Sequence, residues 1–137
     1  MINDLLQFLN YENIFLIANI GVIPCWFLLI FFPRAIFTNI LVKSVVIPAL
    51  LSTAYIFIVY QIYITENIFE IFNLYLGLDE IYTLFSNEGF LLIFWLHFLT
   101  INLFCGSWIV SDAEKLNINK YIIALTLIIT YFVGQIG

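Results

Sequence analysis

The sequence predicts an all-α integral membrane protein: a four-helix bundle with an amphipathic interfacial helix between spans 2 and 3. Three observations carry that expectation. Hydrophobic residues make up 64% of the 137 and charged residues only 9%, whereas in soluble domains roughly a quarter are charged. The apolar residues gather into runs close to the length of about 20 residues that a helix needs to cross hydrocarbon. The basic residues, Arg34, Lys43, Lys115 and Lys120, lie in the first and third gaps between those runs, while the middle gap carries Glu66, Glu70, Asp79, Glu80 and Glu88 and no cation.

The first span covers about residues 12–33. Met1-Ile-Asn-Asp-Leu-Leu lacks the positive n-region of a signal peptide, so this span is expected to remain in the mature protein. Pro24 removes a backbone donor inside it and predicts a kink. The second span covers about 44–65, with Pro48 near its start, and the third about 89–111. The fourth, about 120–137, is marginal, since a helix of that size rises about 27 Å. Residues 1–137 read as one transmembrane domain.

Positive loops stay on the cytoplasmic side. Four spans put the loops 34–43 and 112–120 together on that face and both termini outside; three or five would split the cations. Tyr60, Tyr63 and Trp108 fall near span ends, where aromatic rings anchor at the interface. In the segment 66–88, Ile68, Ile71, Phe72, Tyr75, Leu78, Tyr82 and Phe85 recur at helical spacing, opposite Glu66, Glu70, Asn73 and Glu80. That pattern fits a helix lying on the membrane surface, a cap over the bundle or a lid over an entrance, with Gly77 and Asp79 as candidate breaks.

Lipid gives helices no hydrophobic reason to associate, so small residues and polar contacts must hold the bundle. The candidate stripes are Gly21 and Cys25, Ala49 and Thr53, Asn102 and Gly106, and Thr126, Thr130 and Gly134. Trp26 and Trp95 lie deeper than an interfacial belt requires, as core packing or as rings stacked along a polyene or isoprenoid.

The third span is the richest in polar groups. His97 is the one ionisable side chain well inside any span, apart from Tyr and Cys. Such a group is costly in hydrocarbon, which makes it either a cross-helix hydrogen-bonding residue or a functional one. Neutral imidazole offers one donor and one acceptor. Asn102 lies close to the midplane, five residues on from His97, so the two point about 140° apart and act together only if the helix is distorted or wrapped by neighbours. At the cytoplasmic end, Asp112 with Arg34, Lys43, Glu114 and Lys115 forms either an interfacial polar cluster or a solvated helix end.

Several functions are disfavoured. A formal charge of −5 with no basic patch argues against nucleic acid. Cys25 and Cys105 have no CxxC or Cys/His spacing and read as packing residues. A lone His argues against a zinc or di-iron site, and no cofactor is expected. No span carries a carboxylate, which disfavours a proton-coupled transporter, and GxSxG, HExxH and phosphate-loop motifs are missing.

The run Trp95-x-His97-Phe-x-x-x-Asn102-Leu-Phe-x-Gly106-x-Trp108-Ile-x-x-Asp112-Ala113 resembles the signature of the ABA DEFICIENT 4-like family. Trp26, Leu28-Leu29 leading to Pro33-Arg34, Ser44 and Pro48 followed by Tyr55, and Leu84-Phe85 are similar to the family pattern in the same order. Gly134-Gln-Ile-Gly137 resembles its Gly-Pro-x-Gly ending. Plant members are plastid membrane proteins needed to convert violaxanthin to neoxanthin. The resemblance therefore implies a carotenoid or other isoprenoid as ligand, with His97 as catalytic residue and Asn102, Trp95, Trp26, Arg34 and Asp112 as pocket or polar residues. This chain has Asn102 where the family usually has Asp, and Gln135 where it has Pro. An amide hydrogen-bonds but does not exchange a proton. Plant members carry a transit peptide; its absence, with a composition rich in Ile and Asn, implies a bacterial chain in the inner membrane.

Three functions compete on these grounds. One is an isomerase of carotenoids or isoprenoids, with His97 moving a proton in a dry pocket. Another is a non-catalytic lipid- or pigment-binding module that assists a membrane enzyme, favoured by the missing acid at 102. The last is a small transporter acting as a homo-oligomer.

Overall fold

The computed structural model describes residues 9–44, 46–65, 69, 72 and 75–134. Among them there is no strand. Five α-helices follow one another: α1 Tyr11–Phe31, α2 Val46–Thr65, α3 Leu78–Phe85, α4 Glu88–Lys115 and α5 Lys120–Val133, with a π-helical segment at Thr38–Lys43 between α1 and α2. Helices α1, α2 and α4 are long and apolar enough to cross a membrane, whereas α5 is apolar but has only 14 residues. Its rise is about 21 Å, shorter than the fourth span expected from sequence.

Side chains just outside the helices set their ends. The Asn10 side chain accepts from the Asn13 N–H at 2.8 Å and starts α1. Asn87 accepts from the N–H groups of Gly89 and Phe90 at the head of α4, with Glu88 in the first turn and Lys115 in the last. Both charges suit the helix dipole. Asn119 caps α5 through the Tyr121 N–H. Gly134, at φ 85°, ends it in a conformation that side chains resist. Helix α1 continues through Pro24 to Phe31, although proline has no N–H to offer the Ile20 carbonyl.

Helix α4 is the central one: α1, α2, α3 and α5 all pack against it. Its inward stripe is Leu92, Leu96, Leu99, Leu103, Gly106 and Val110. Against it lie Val22 and Leu29 of α1, Ile58 and Ile62 of α2, and Leu127 of α5. Trp26 is buried where α1, α4 and α5 meet, edge-on to Tyr131 with ring centroids 5.4 Å apart. Gly106 makes that possible, because a Cβ there would stand 2.9 Å from Trp26 Cη2. Of the stripes expected from sequence, those through Gly106 and through Thr130 are buried. Ala49 and Thr53 are not: both are exposed, and α2 turns Pro48, Leu51, Ile58 and Ile62 inward instead. Packing there follows the larger apolar residues, which fill the space beside the Leu-rich face of α4. Gly21 is exposed as well.

The two cationic gaps meet at one end of the molecule. Lys43 Nζ donates to Glu114 Oε2 at 2.6 Å, with the Lys43 side chain 11% and the Glu114 side chain 27% exposed. The first gap is no plain loop. Thr38 and Val42 of its π-helical segment are fully buried, Thr38 Oγ1 donates to the Phe32 carbonyl at 2.6 Å, and Ser107 of α4 reaches the Val42 carbonyl at 3.5 Å. At the other end, α3 begins after Gly77, with Asp79 and Glu80 in its first turn, so Asp79 starts a helix rather than breaking one. Leu84, absent from the expected apolar stripe, is its buried residue, whereas Leu78 and Tyr82 are exposed. Phe72 and Tyr75 are exposed too and Phe85 is half-buried, while Ile68, Ile71, Glu66, Glu70 and Asn73 lie outside the described residues.

Candidate functional site

Five serine and threonine hydroxyls within the apolar helices are spent on their own backbone. Ser52, Thr53, Thr100, Ser111 and Thr130 each donate to the carbonyl four residues earlier. That keeps a hydroxyl satisfied where water is absent. Asn19 joins α1 to α4: its amide donates to the Phe15 carbonyl at 2.7 Å, and its oxygen accepts from Trp95 Nε1 at 3.1 Å. Sequence reasoning passed over Asn19, although an amide inside an apolar run is itself a signal for an interhelical contact.

Against that background His97 and Asn102 stand out. His97 is exposed, on the outward stripe of α4 with Leu91, Phe94 and Phe104. The reason is register, since Leu92, Leu96, Leu99 and Leu103 occupy the inward face. Asn102 is 5% exposed. Neither side chain forms a hydrogen bond among the described residues.

The two belong to one feature despite pointing about 140° apart on the helix. A groove of about 260 Å³ is lined by Phe94, His97, Phe98, Ile101, Asn102, Val133 and Gly134. Phe94, Phe98 and Ile101 occupy the arc between His97 and Asn102, so the pair stands at its two edges. Helix α5 stops at this level: a Cβ on Gly134 would lie 3.5 Å from Phe98 Cε2 and 3.7 Å from Asn102 Oδ1. The result is an apolar groove with an imidazole on one rim and an amide on the other.

The remaining residues expected at the site are dispersed. Trp95 is half-buried, stacks on Phe98 with centroids 5.6 Å apart, and lines a different cavity of about 510 Å³ with Tyr11, Glu12, Phe15, Glu88, Leu91 and Leu92. Trp26 is a packing residue of the core. Arg34 and Asp112 sit at the cationic end, away from the groove. Asp112 pairs with Lys115 at 2.9 Å rather than with Arg34. It lies in the last turn of α4, past the apolar run, where the Lys115 ammonium holds its carboxyl below the usual range and Trp108 adds in the same direction. Glu114 Oε1 is buried without a partner among the described residues.

Chemically, the groove can bind an apolar body, hydrogen-bond an oxygen on it and move one proton. Among the described residues no three His, Cys, Asp or Glu side chains come together as a metal site would require. No curated protein and no solved structure matches this chain. The model of the ABA DEFICIENT 4-like family matches residues 13–137, nearly the whole sequence, and the chain belongs to that family.

Proposed function

We propose that this protein is an isomerase of carotenoids or related isoprenoids, held in a bacterial inner membrane by four spans with the cationic end cytoplasmic and both termini outside. The groove between α4 and the end of α5 is its active site. The supporting observation is the placement of His97 and Asn102, neither with a hydrogen-bond partner among the described residues, on the rims of one apolar groove. Unpaired polar groups in hydrocarbon cost several kcal/mol each, roughly, so a ligand oxygen is the natural partner.

Opening an epoxide to an allene breaks a C–H and a C–O bond. The C–H electron pair becomes the new double bond, and the C–O pair goes to oxygen, which takes a proton. The sum is an isomerisation that consumes no co-reactant. Neutral imidazole is suited to it, because one nitrogen accepts the carbon proton and the other N–H protonates the oxygen. Asn102 orients the oxygen by a hydrogen bond. The apolar lining keeps water from opening the epoxide.

The test is to express the chain with candidate epoxy-carotenoids and separate the pigments by chromatography. Wild type is expected to give a new pigment, and His97→Ala to reduce it on the order of 10²-fold or more. Unchanged pigment from wild type would refute the enzymatic reading.

One observation favours a second reading, a lipophile-binding module that assists a partner enzyme. Position 102, where the family usually has an acid, here carries an amide. Purification in detergent with neither bound lipophile nor copurifying enzyme would remove it.

A further inference from the structure

Helix α2 turns Pro48, Leu51, Tyr55, Ile58 and Ile62 toward α4, and Tyr55 alone among these carries a polar group. A half-buried tyrosine ordinarily finds a partner for its hydroxyl. Tyr55 forms no hydrogen bond among the described residues; its contact is with the imidazole of His97, ring centroids 6.0 Å apart and planes at 42°. The two rings line a second groove of about 200 Å³, which runs from His97 beneath Leu84 and Phe85 of α3. This groove shares Phe94 and His97 with the one that holds Asn102. The two grooves therefore meet at the imidazole, and three unpartnered polar side chains from two helices face one apolar trough.

We propose that Tyr55 is a ligand-contacting residue of this site. The bound molecule lies across the outer face of α4 from Asn102 to the underside of α3, and the Tyr55 hydroxyl hydrogen-bonds an oxygen on its end group. The inference rests on the functional reading above and adds a specificity: the trough selects an oxygenated isoprenoid over the hydrocarbon of the same skeleton. A pure hydrocarbon leaves Tyr55, His97 and Asn102 all unsatisfied, whereas an oxygenated end group pairs with them. Phe85, edge-on to Phe94 with centroids 5.1 Å apart, closes the α3 end against the apolar part of that group.

The experiment compares two probes of one C40 skeleton, the dihydroxylated zeaxanthin and the hydrocarbon β-carotene, titrated against the purified full chain in detergent. Wild type is expected to prefer zeaxanthin. Tyr55→Phe keeps the ring and loses the hydroxyl, so it is expected to weaken zeaxanthin about tenfold and leave β-carotene unchanged. Asn102→Leu serves as the comparison variant at the other rim. If Tyr55→Phe binds zeaxanthin as wild type does while Asn102→Leu is impaired, the Tyr55 contact is wrong and the groove reading survives. If Tyr55→Phe weakens both probes equally, the hydroxyl has no specific role and the proposal falls. Failure of wild type to bind either probe would overturn both.

Discussion

At Gly106 a Cβ would stand 2.9 Å from Trp26 Cη2 and 3.0 Å from Cζ3, atoms of a ring locked between helices. At Gly89 the nearest atom, at 3.0 Å, is Cδ1 of Ile62, the free end of a flexible chain, and at Gly21 nothing lies within 4 Å. Three substitutions to Ala should therefore separate cleanly. Gly106→Ala is expected to destabilise by about 1–3 kcal/mol, as overpacking does. Gly89→Ala should cost less, and Gly21→Ala should be neutral or stabilise by at most about 1 kcal/mol through helix propensity. Thermal unfolding in detergent orders them, and equal shifts at 106 and 21 would refute the role of the tryptophan contact. Residue identity was legible from sequence here, but orientation was not. The polar character of His97 and Asn102 is plain in the chain, yet which faces lipid depends on which leucines α4 turns inward. Tyr55 carries no local sign of its neighbour, since its meeting with His97 arises from how α2 crosses α4.

The π-helical segment Thr38–Lys43 is the element that composition alone described worst. Its cations marked it as a gap, but Thr38 and Val42 are buried and its last residue is tied to Glu114. Such a pair is neither a solvated surface contact nor a fully buried one. Removal of one partner leaves a charge partly out of water, at a cost of about 2 kcal/mol, between the surface and buried limits. Lys43→Met alone and Glu114→Leu alone should each lower detergent stability by that order. The double variant should recover much of the loss, and additive losses in this cycle would show that the pair does not couple the two gaps. Helix α3 teaches the same lesson from the other end. Its helical period was readable, but the buried position is Leu84, on the side that packs on α4.

For the molecule as a whole, charge placement carried most of the information. Four cations in the first and third gaps, with none in the middle one, underlie the orientation we propose, and the Lys43–Glu114 bond brings those two gaps together in space. The topology we propose is checked with reporters inserted at Ile36, Asn117 and Gly77, all exposed. The first two should report cytoplasm and the third the outside; Ile36 and Asn117 on opposite sides would sink it. The three helices long and apolar enough to cross a membrane were readable from apolar run length, but the 14-residue extent of α5 was not. On the function proposed above, the groove between α4 and α5 has a kinetic consequence. On the membrane reading proposed above, the groove beside Phe98 faces acyl chains, so a substrate approaches it sideways through the bilayer and not from the aqueous phase. Encounter then follows two-dimensional diffusion, governed by mole fraction in the bilayer. Diluting a fixed amount of substrate with inert phospholipid should slow turnover in proportion, while changing the volume of buffer should leave it untouched.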